Sequence, residues 1–234
     1  MLPENLHLNI GSLVFEGLDQ IDLTGPFEVL SSLPNSTYRV YGLTTNPIKD
    51  IHGFTLMPDA AMEDAPQLDI LHVPGGKGQE ALMDNEAVLE WLRRQSGGAK
   101  RVLSVCTGAL LCGAAGLIKG KRATTHWASF EFLQYFGAIP VNERVVVDGN
   151  WTFAAGVTAG IDGALTLAAD VRGEEVAKRI QLEIAYAPEP PFNSGTPETA
   201  PPSVVKAARE AGKELSDRRL KTAKRIAEQM GIKI

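Results

Sequence analysis

The chain has 234 residues, enough for one sizeable α/β domain with a small appendage. Its 44% hydrophobic and 22% charged content is ordinary for a globular protein, and a net charge of −5 with a pI near 5.5 argues against a nucleic-acid surface as its main business. No stretch approaches the roughly 18 apolar residues that mark a membrane span, and Met1 to His7 has neither a basic region nor an apolar signal core, so the cytoplasm is the expected compartment.

His7 to Phe15 reads as a first strand, closed by a turn at Glu16-Gly17. A helical pattern follows through Phe27, Val29 and Leu30, with Pro26 expected in its first turn, where a missing N–H costs nothing. Asp22 is placed just before that helix, between Ile21 and Leu23. A carboxylate so flanked is partly desolvated, which raises its pKa and suits it to holding or giving a proton near neutrality. The competing reading is a solvated or helix-capping aspartate. Tyr38 to Leu43 is a second strand, and Gly53 to Pro58 an extended piece suited to a hairpin. Leu68 to Val73 is a third core strand, ended abruptly by Pro74-Gly75-Gly76-Lys77-Gly78. Such a turn sets bare backbone N–H groups at the sheet's carboxyl edge, where an anionic intermediate needs donors; plain turn-making explains the glycines equally well. No Gly-Lys-Ser/Thr follows, so a nucleotide-phosphate loop is excluded.

After a helix from Glu86 to Gln95 comes Arg101-Val-Leu-Ser-Val-Cys106-Thr107-Gly108-Ala-Leu-Leu. It reads as a buried strand running without a loop into an apolar helix, expected over Ala109 to Leu117, with a cysteine at the join. A sharp strand-to-helix turn of this kind pushes one side chain out over the first free N–H groups of the helix, which favour the nucleophilic thiolate. Cys106 is therefore the candidate nucleophile, set against the alternative of an inert buried thiol. The other cysteine, Cys112, is six residues on and expected to point along another face of the helix, so neither a disulfide nor a metal pair is expected. The four histidines have no metal-site spacing.

Farther on, Gly120 to Trp127 begins a further strand and turn, and Ser129 to Tyr135 a helix ended by Gly137. Arg144 to Phe153 is read as two antiparallel strands about Asp148-Gly149-Asn150. Helices are expected over Ile161 to Ala169 and Glu174 to Ala185. Ala187 to Pro202 holds six of the fourteen prolines and reads as an extended surface arm, while Ser203 to Ile234 is helical by pattern, with interspersed charges that mark a solvated face. The expected organisation is a catalytic domain over residues 1–186, with the arm and C-terminal helix of 187–234 packed on it. Alternating strands and helices imply a parallel sheet covered on both faces, with ligands at the carboxyl ends of its strands. Asp22, Gly75-Gly76 and Cys106 all fall on that edge.

Ser-Val-Cys106-Thr107-Gly108, with His-Val-Pro-Gly75-Gly76 before it and Ala-Thr-Thr-His126-Trp127 after it, resembles the DJ-1/PfpI superfamily. Within it, Ile-Asp22-Leu-Thr-Gly-Pro, Gly-Val-Thr-Ala-Gly-Ile-Asp162 and Tyr186-Ala-Pro-Glu-Pro-Pro-Phe-Asn193 are similar to the isonitrile hydratases. The resemblance implies a flavodoxin-like domain, a homodimer, and conversion of R–N≡C and water to an N-substituted formamide without metal or organic cofactor. It further implies Cys106 as the nucleophile that forms a thioimidate, Asp22 as its acidic partner, Thr107 as a supporting hydroxyl, and Gly75 and Gly76 as backbone donors beside the reacting group. Protease-like relatives carry histidine where this chain has Thr107, which removes the base that peptide hydrolysis needs. Many DJ-1-like members carry glutamate in place of Asp22, which weakens a glyoxalase, deglycase or thiol-sensor reading without removing it. The tail is too short for the paired helix-turn-helix module of related regulators. His126, beside Trp127, is read as a structural histidine.

Overall fold

A computed structural model describes residues 1–233; Ile234, the last residue of the tail expected to be helical, lies outside the described residues. The chain begins with strand Leu8–Val14 (β1), helix Gln20–Leu30 (α1) and strand Ser36–Gly42 (β2). A hairpin of Ile48–Lys49 (β3) and Thr55–Leu56 (β4) precedes Ala60–Ala61 (β5) and Ile70–Val73 (β6). Then come Gln79–Leu82 (α2), Glu86–Gly98 (α3), Arg101–Val105 (β7) and Gly108–Ala114 (α4). Arg122–Ala123 (β8), a 3₁₀ run over Trp127–Phe136 and Ile139–Pro140 (β9) lead to the hairpin of Val145–Asp148 (β10) and Trp151–Ala154 (β11). Ala159–Arg172 (α5), Glu174–Glu183 (α6), Pro202–Ala211 (α7) and Lys213–Gln229 (α8) complete the order.

Seven strands form one sheet in the order β10-β11-β7-β6-β1-β2-β5, parallel throughout except where β10 runs against β11. This is the expected α/β architecture. From β1 the chain builds outward through β2 to β5, then returns to lay β6 on the other flank of β1. That reversal parts the connections above β1 and β6, and leaves a crevice at their carboxyl ends. The central strands are buried on both faces, as parallel strands are. Leu103 and Val105 of β7 meet α5 and α6 residues such as Leu167 and Ile180 on one side. Val102, Leu71 and Leu13 meet α3, α4 and the 3₁₀ run on the other, with Ala223 and Ile226 of α8 in the same cluster.

Three local expectations need correction. Helix α1 starts earlier than its apolar pattern shows: Asp19 is its N-cap, accepting from the Ile21 N–H, so Asp22 lies in the first turn and Pro26 in the interior. A proline there leaves the Asp22 carbonyl, four residues back, without its helical donor. Helix α4 stops at Ala114 rather than Leu117 because Gly116 turns left-handed (φ +79°). The 129–135 helix is 3₁₀ in type, ended at Gly137 (φ +69°) as expected.

The tail is two helices split at Gly212. The face of α8 made by Arg219, Thr222, Ala223, Ile226 and Ala227 is buried, so the solvated-helix expectation fails for that face. The residues follow one helical stripe, i, i+3, i+4, i+7 and i+8. Among the described residues no helix is long and apolar enough to cross a membrane.

Leu103 is wholly buried between β7's neighbours and α5. Leu103→Ala is expected to lower the free energy of denaturant unfolding by about 2–5 kcal/mol, and a loss below about 1 kcal/mol would contradict the close packing described.

Candidate active site

The turn between β7 and α4 has no slack. Cys106 continues the sheet by donating its N–H to the Ala154 carbonyl (2.9 Å), then takes φ +55°, a left-handed value rare for a residue with a side chain. Its own carbonyl accepts from the buried Thr125 hydroxyl at 2.7 Å, which fixes the peptide from the other side. Only glycine fits at 108, since a Cβ there would lie 2.1 Å from the Val73 carbonyl oxygen at the end of β6. The turn thus drives the Cys106 side chain into the crevice above β1 and β6.

Asp22 meets it from α1. The residue is fully buried, its Oδ2 accepts from the Gly75 N–H at 3.0 Å, and its carboxyl faces the Cys106 thiol closely enough to couple their protonation. Burial, helped by the charge of Asp19, pushes the Asp22 carboxyl up to about 7, against the lowering effect of Cys106 and the Gly75 N–H. Burial also raises the Cys106 thiol, as does a charge on Asp22; the Thr107 N–H and the Arg219 cation pull it back down. The thiolate-favouring donors expected at the helix start are present, but dehydration opposes them.

The glycine turn holds the site in a way not foreseen. The N–H groups of Gly75 and Gly76 are both engaged, the first by Asp22 and the second by the Thr107 hydroxyl at 3.1 Å. They position the acid and the hydroxyl, and Gly76 also lines the cavity onto which Cys106 opens. The cause is packing: the turn lies so close to the start of α4 that a Cβ on Gly75 would sit 2.5 Å from the Thr107 nitrogen.

Arg219 was not singled out by the charge pattern of the tail. It enters from α8, is 7% exposed, and donates to the Gly76 carbonyl at 2.6 Å, the Ser129 hydroxyl at 3.4 Å and the Thr107 hydroxyl at 3.5 Å. The stripe of small and apolar residues beginning at Ala223 is the signal that points back to it.

Cys106, Thr107, Gly76 and Arg219 open onto a cavity of about 220 Å³, closed by Trp127 and by Leu215 of α8. Asp22 is adjacent to that cavity through Cys106 and Gly75 rather than part of its wall. His126 lines the cavity; its Nδ1 accepts from the Ala128 N–H, and burial with the Arg219 charge lowers its pKa to about 4, so it is neutral. A larger hollow of about 480 Å³ shares His126, Trp127 and Val157 with this one, but Cys106 does not line it. Among the described residues no cluster of side chains is arranged to hold a metal ion.

A parallel sheet with a strained cysteine at the end of a central strand and a buried acid beside it defines a class. The chain belongs to the DJ-1/PfpI family, whose model matches residues 10–170. Among individual proteins it is 46% identical over 226 residues to the isonitrile hydratase of Pseudomonas putida, spanning 97% of this chain and 99% of that relative. The crystal structure of a ThiJ/PfpI family protein from Pseudomonas syringae matches it with a TM-score of 0.91 at 36% identity, over 95% of this chain and 93% of the other. A deglycase from Thermococcus kodakarensis is 28% identical over 138 residues, 58% of this chain and 82% of the relative.

Asp22 has a folded pKa raised above its unfolded value of 3.8 to about 7, so the folded chain binds a proton that the unfolded chain has released across that window. Stability from this group is therefore present below about pH 4 and lost as pH rises to about 7. The unfolding free energy of Asp22→Asn relative to wild type should climb from pH 4 to 7 and level off above; a pH-independent difference in paired denaturant titrations would contradict the raised pKa.

Proposed function

We propose that this chain is an isonitrile hydratase, a carbon–oxygen lyase that adds water to R–N≡C and releases the N-substituted formamide. The observation that carries the reading is the buried Asp22 carboxyl, anchored on the Gly75 N–H next to the strained Cys106 turn. The 46% identity to an isonitrile hydratase over nearly the full chain supports it.

Cys106, as thiolate, is the proposed nucleophile. The terminal carbon of an isonitrile accepts a soft nucleophile, so an S–C bond forms. That carbon then takes the Asp22 proton, giving the thioimidate R–N=CH–S–Cys106. Asp22, now a carboxylate, removes a proton from water as the oxygen adds to the same carbon, and passes that proton to nitrogen. The tetrahedral adduct R–NH–CH(OH)–S–Cys106 returns its hydroxyl proton to Asp22, breaks the C–S bond and releases R–NH–CHO. The thiolate and the protonated acid are both restored. An acid whose pKa lies near 7 suits this alternation, since neither giving nor taking the proton is steeply uphill. The Thr107 hydroxyl, held by the Gly76 N–H, supports the wall beside the sulfur. A cavity of about 220 Å³ with a largely apolar wall admits a small apolar R group.

Formamide production from a simple alkyl or aryl isonitrile tests the reading. Wild type should turn over, Cys106→Ala should show none, and Asp22→Asn should lose about 10²–10⁴-fold, the span of a general acid–base group. Full turnover by Asp22→Asn would remove Asp22 from its role. Consumption of methylglyoxal with no isonitrile turnover would move the reading to a glyoxalase or deglycase.

The proposed working unit is a homodimer, as the family resemblance implies. Light scattering should give twice the chain mass, and a single-chain mass would overturn it.

A further inference from the structure

Arg219 is a buried cation with no carboxylate at ion-pair distance among the described residues. Its contacts are one main-chain carbonyl, that of Gly76, and two neutral hydroxyls, Ser129 and Thr107; its Nε has no partner. Neighbouring arginines behave otherwise. Arg218 pairs with Glu214 and Glu80 at the surface, and Arg225 with Asp84. The other buried arginine, Arg172, has each of its three nitrogens on a carbonyl, those of Pro34, Pro3 and Leu6. A guanidinium taken out of water without such compensation is costly, unless an anion meets it there. The cavity it faces is the one Cys106 opens onto.

We propose that Arg219 is the cation that places the site's negative charge on the Cys106 sulfur, so that α8 completes the active site from the far end of the chain. It is a positioning residue for charge, acting through sulfur rather than on substrate. The charged and titratable groups around it narrow the assignment. Glu80 on α2 is engaged by Arg218 at 3.5 Å and by the Thr222 hydroxyl at 3.2 Å. Asp19 and Lys77 sit on the cavity wall, and His126, from the segment before the 3₁₀ run, is neutral. Asp22 feels the repulsion of Asp19, which favours its neutral form, while the Gly75 N–H on its Oδ2 works the other way. Cys106 is the group whose ionisation the Arg219 charge favours. The division gives a thiolate beside a neutral carboxylic acid, the state from which addition to an isonitrile and protonation of its carbon both proceed; this consequence rests on the hydratase reading.

The test is the pH dependence of Cys106 alkylation by iodoacetamide in the full chain, with the adduct localised by fragment-ion mass spectrometry to separate it from Cys112. Removing an opposite charge at close range moves a pKa by roughly 1–3 units. Arg219→Met should therefore shift the alkylation midpoint upward by that much and slow the reaction at pH 7 at least about tenfold, while Arg219→Lys should restore most of both. If the Met variant fails to fold, Arg219→Gln, which keeps a donor for the Gly76 carbonyl without the charge, should show the same shift. A folded neutral variant with the wild-type midpoint, or a Lys variant no closer to wild type than Met, overturns the proposal. Alkylation needs no isonitrile, so a wild type inactive on isonitriles would sink the hydratase reading and leave this result standing. With isonitriles turned over, an Arg219→Met defect in kcat at unchanged KM is the expected companion; a defect in KM alone would overturn the role assigned here.

Discussion

Two acids share one buried crevice, and the coupling of their protonation governs the rest of the design. In water Asp22 and Cys106 would titrate far apart and independently; buried side by side, a charge on Asp22 makes ionisation of Cys106 harder, while the thiol eases that of Asp22. One negative charge is what the pair can carry comfortably. The fold's task is to bring the two within reach of each other and to decide where that charge rests. Strand order achieves the first: β1, β6 and β7 end together because the chain reverses across β1. Neutral polar contacts steady the arrangement, with the Thr125 hydroxyl on the Cys106 carbonyl and the glycine N–H groups on Asp22 and Thr107.

The close approach has a steric condition as well as an electrostatic one. The ends of β6 and β7 nearly touch, and the space between them is main chain against main chain. A Cβ at 75 or 108 would fall inside van der Waals distance of a backbone atom. Glycine is thus required here for its lack of a side chain, which is a different demand from the left-handed turn at Gly137. The strain accepted by Cys106 at φ +55° belongs to the same compromise.

Much of this is legible in the sequence alone. Apolar runs bounded by polar turns marked the central strands, and the abrupt passage from Val105 to Gly108 marked the cysteine turn, because both signals are local in the chain. Asp22 was legible as an acid between two apolar neighbours, whereas its place inside a helix was hidden: Pro26 argued for a later start, and Asp19 was the cap that set the true one. The glycine N–H groups are legible at the right edge, but their bonds to Asp22 and Thr107 are not, since these depend on the approach of α1 and α4 from elsewhere. Arg219 was lost in averaging. In a helix with interspersed acids and bases, its contact with residues 76, 107 and 129 is visible only once the tail is folded back.

The docking of α8 also orders events in time. Every residue of the cysteine turn, with the acid and the glycines that steady it, precedes β11, while Arg219 follows an extended proline-rich arm and belongs to the last helix. A chain emerging from the ribosome therefore gathers its sulfur and its acid first and its cation last. With the proposed role of Arg219, a chain made only as far as β11 holds a quiet thiol, and becomes chemically competent only once α8 has been made and docked.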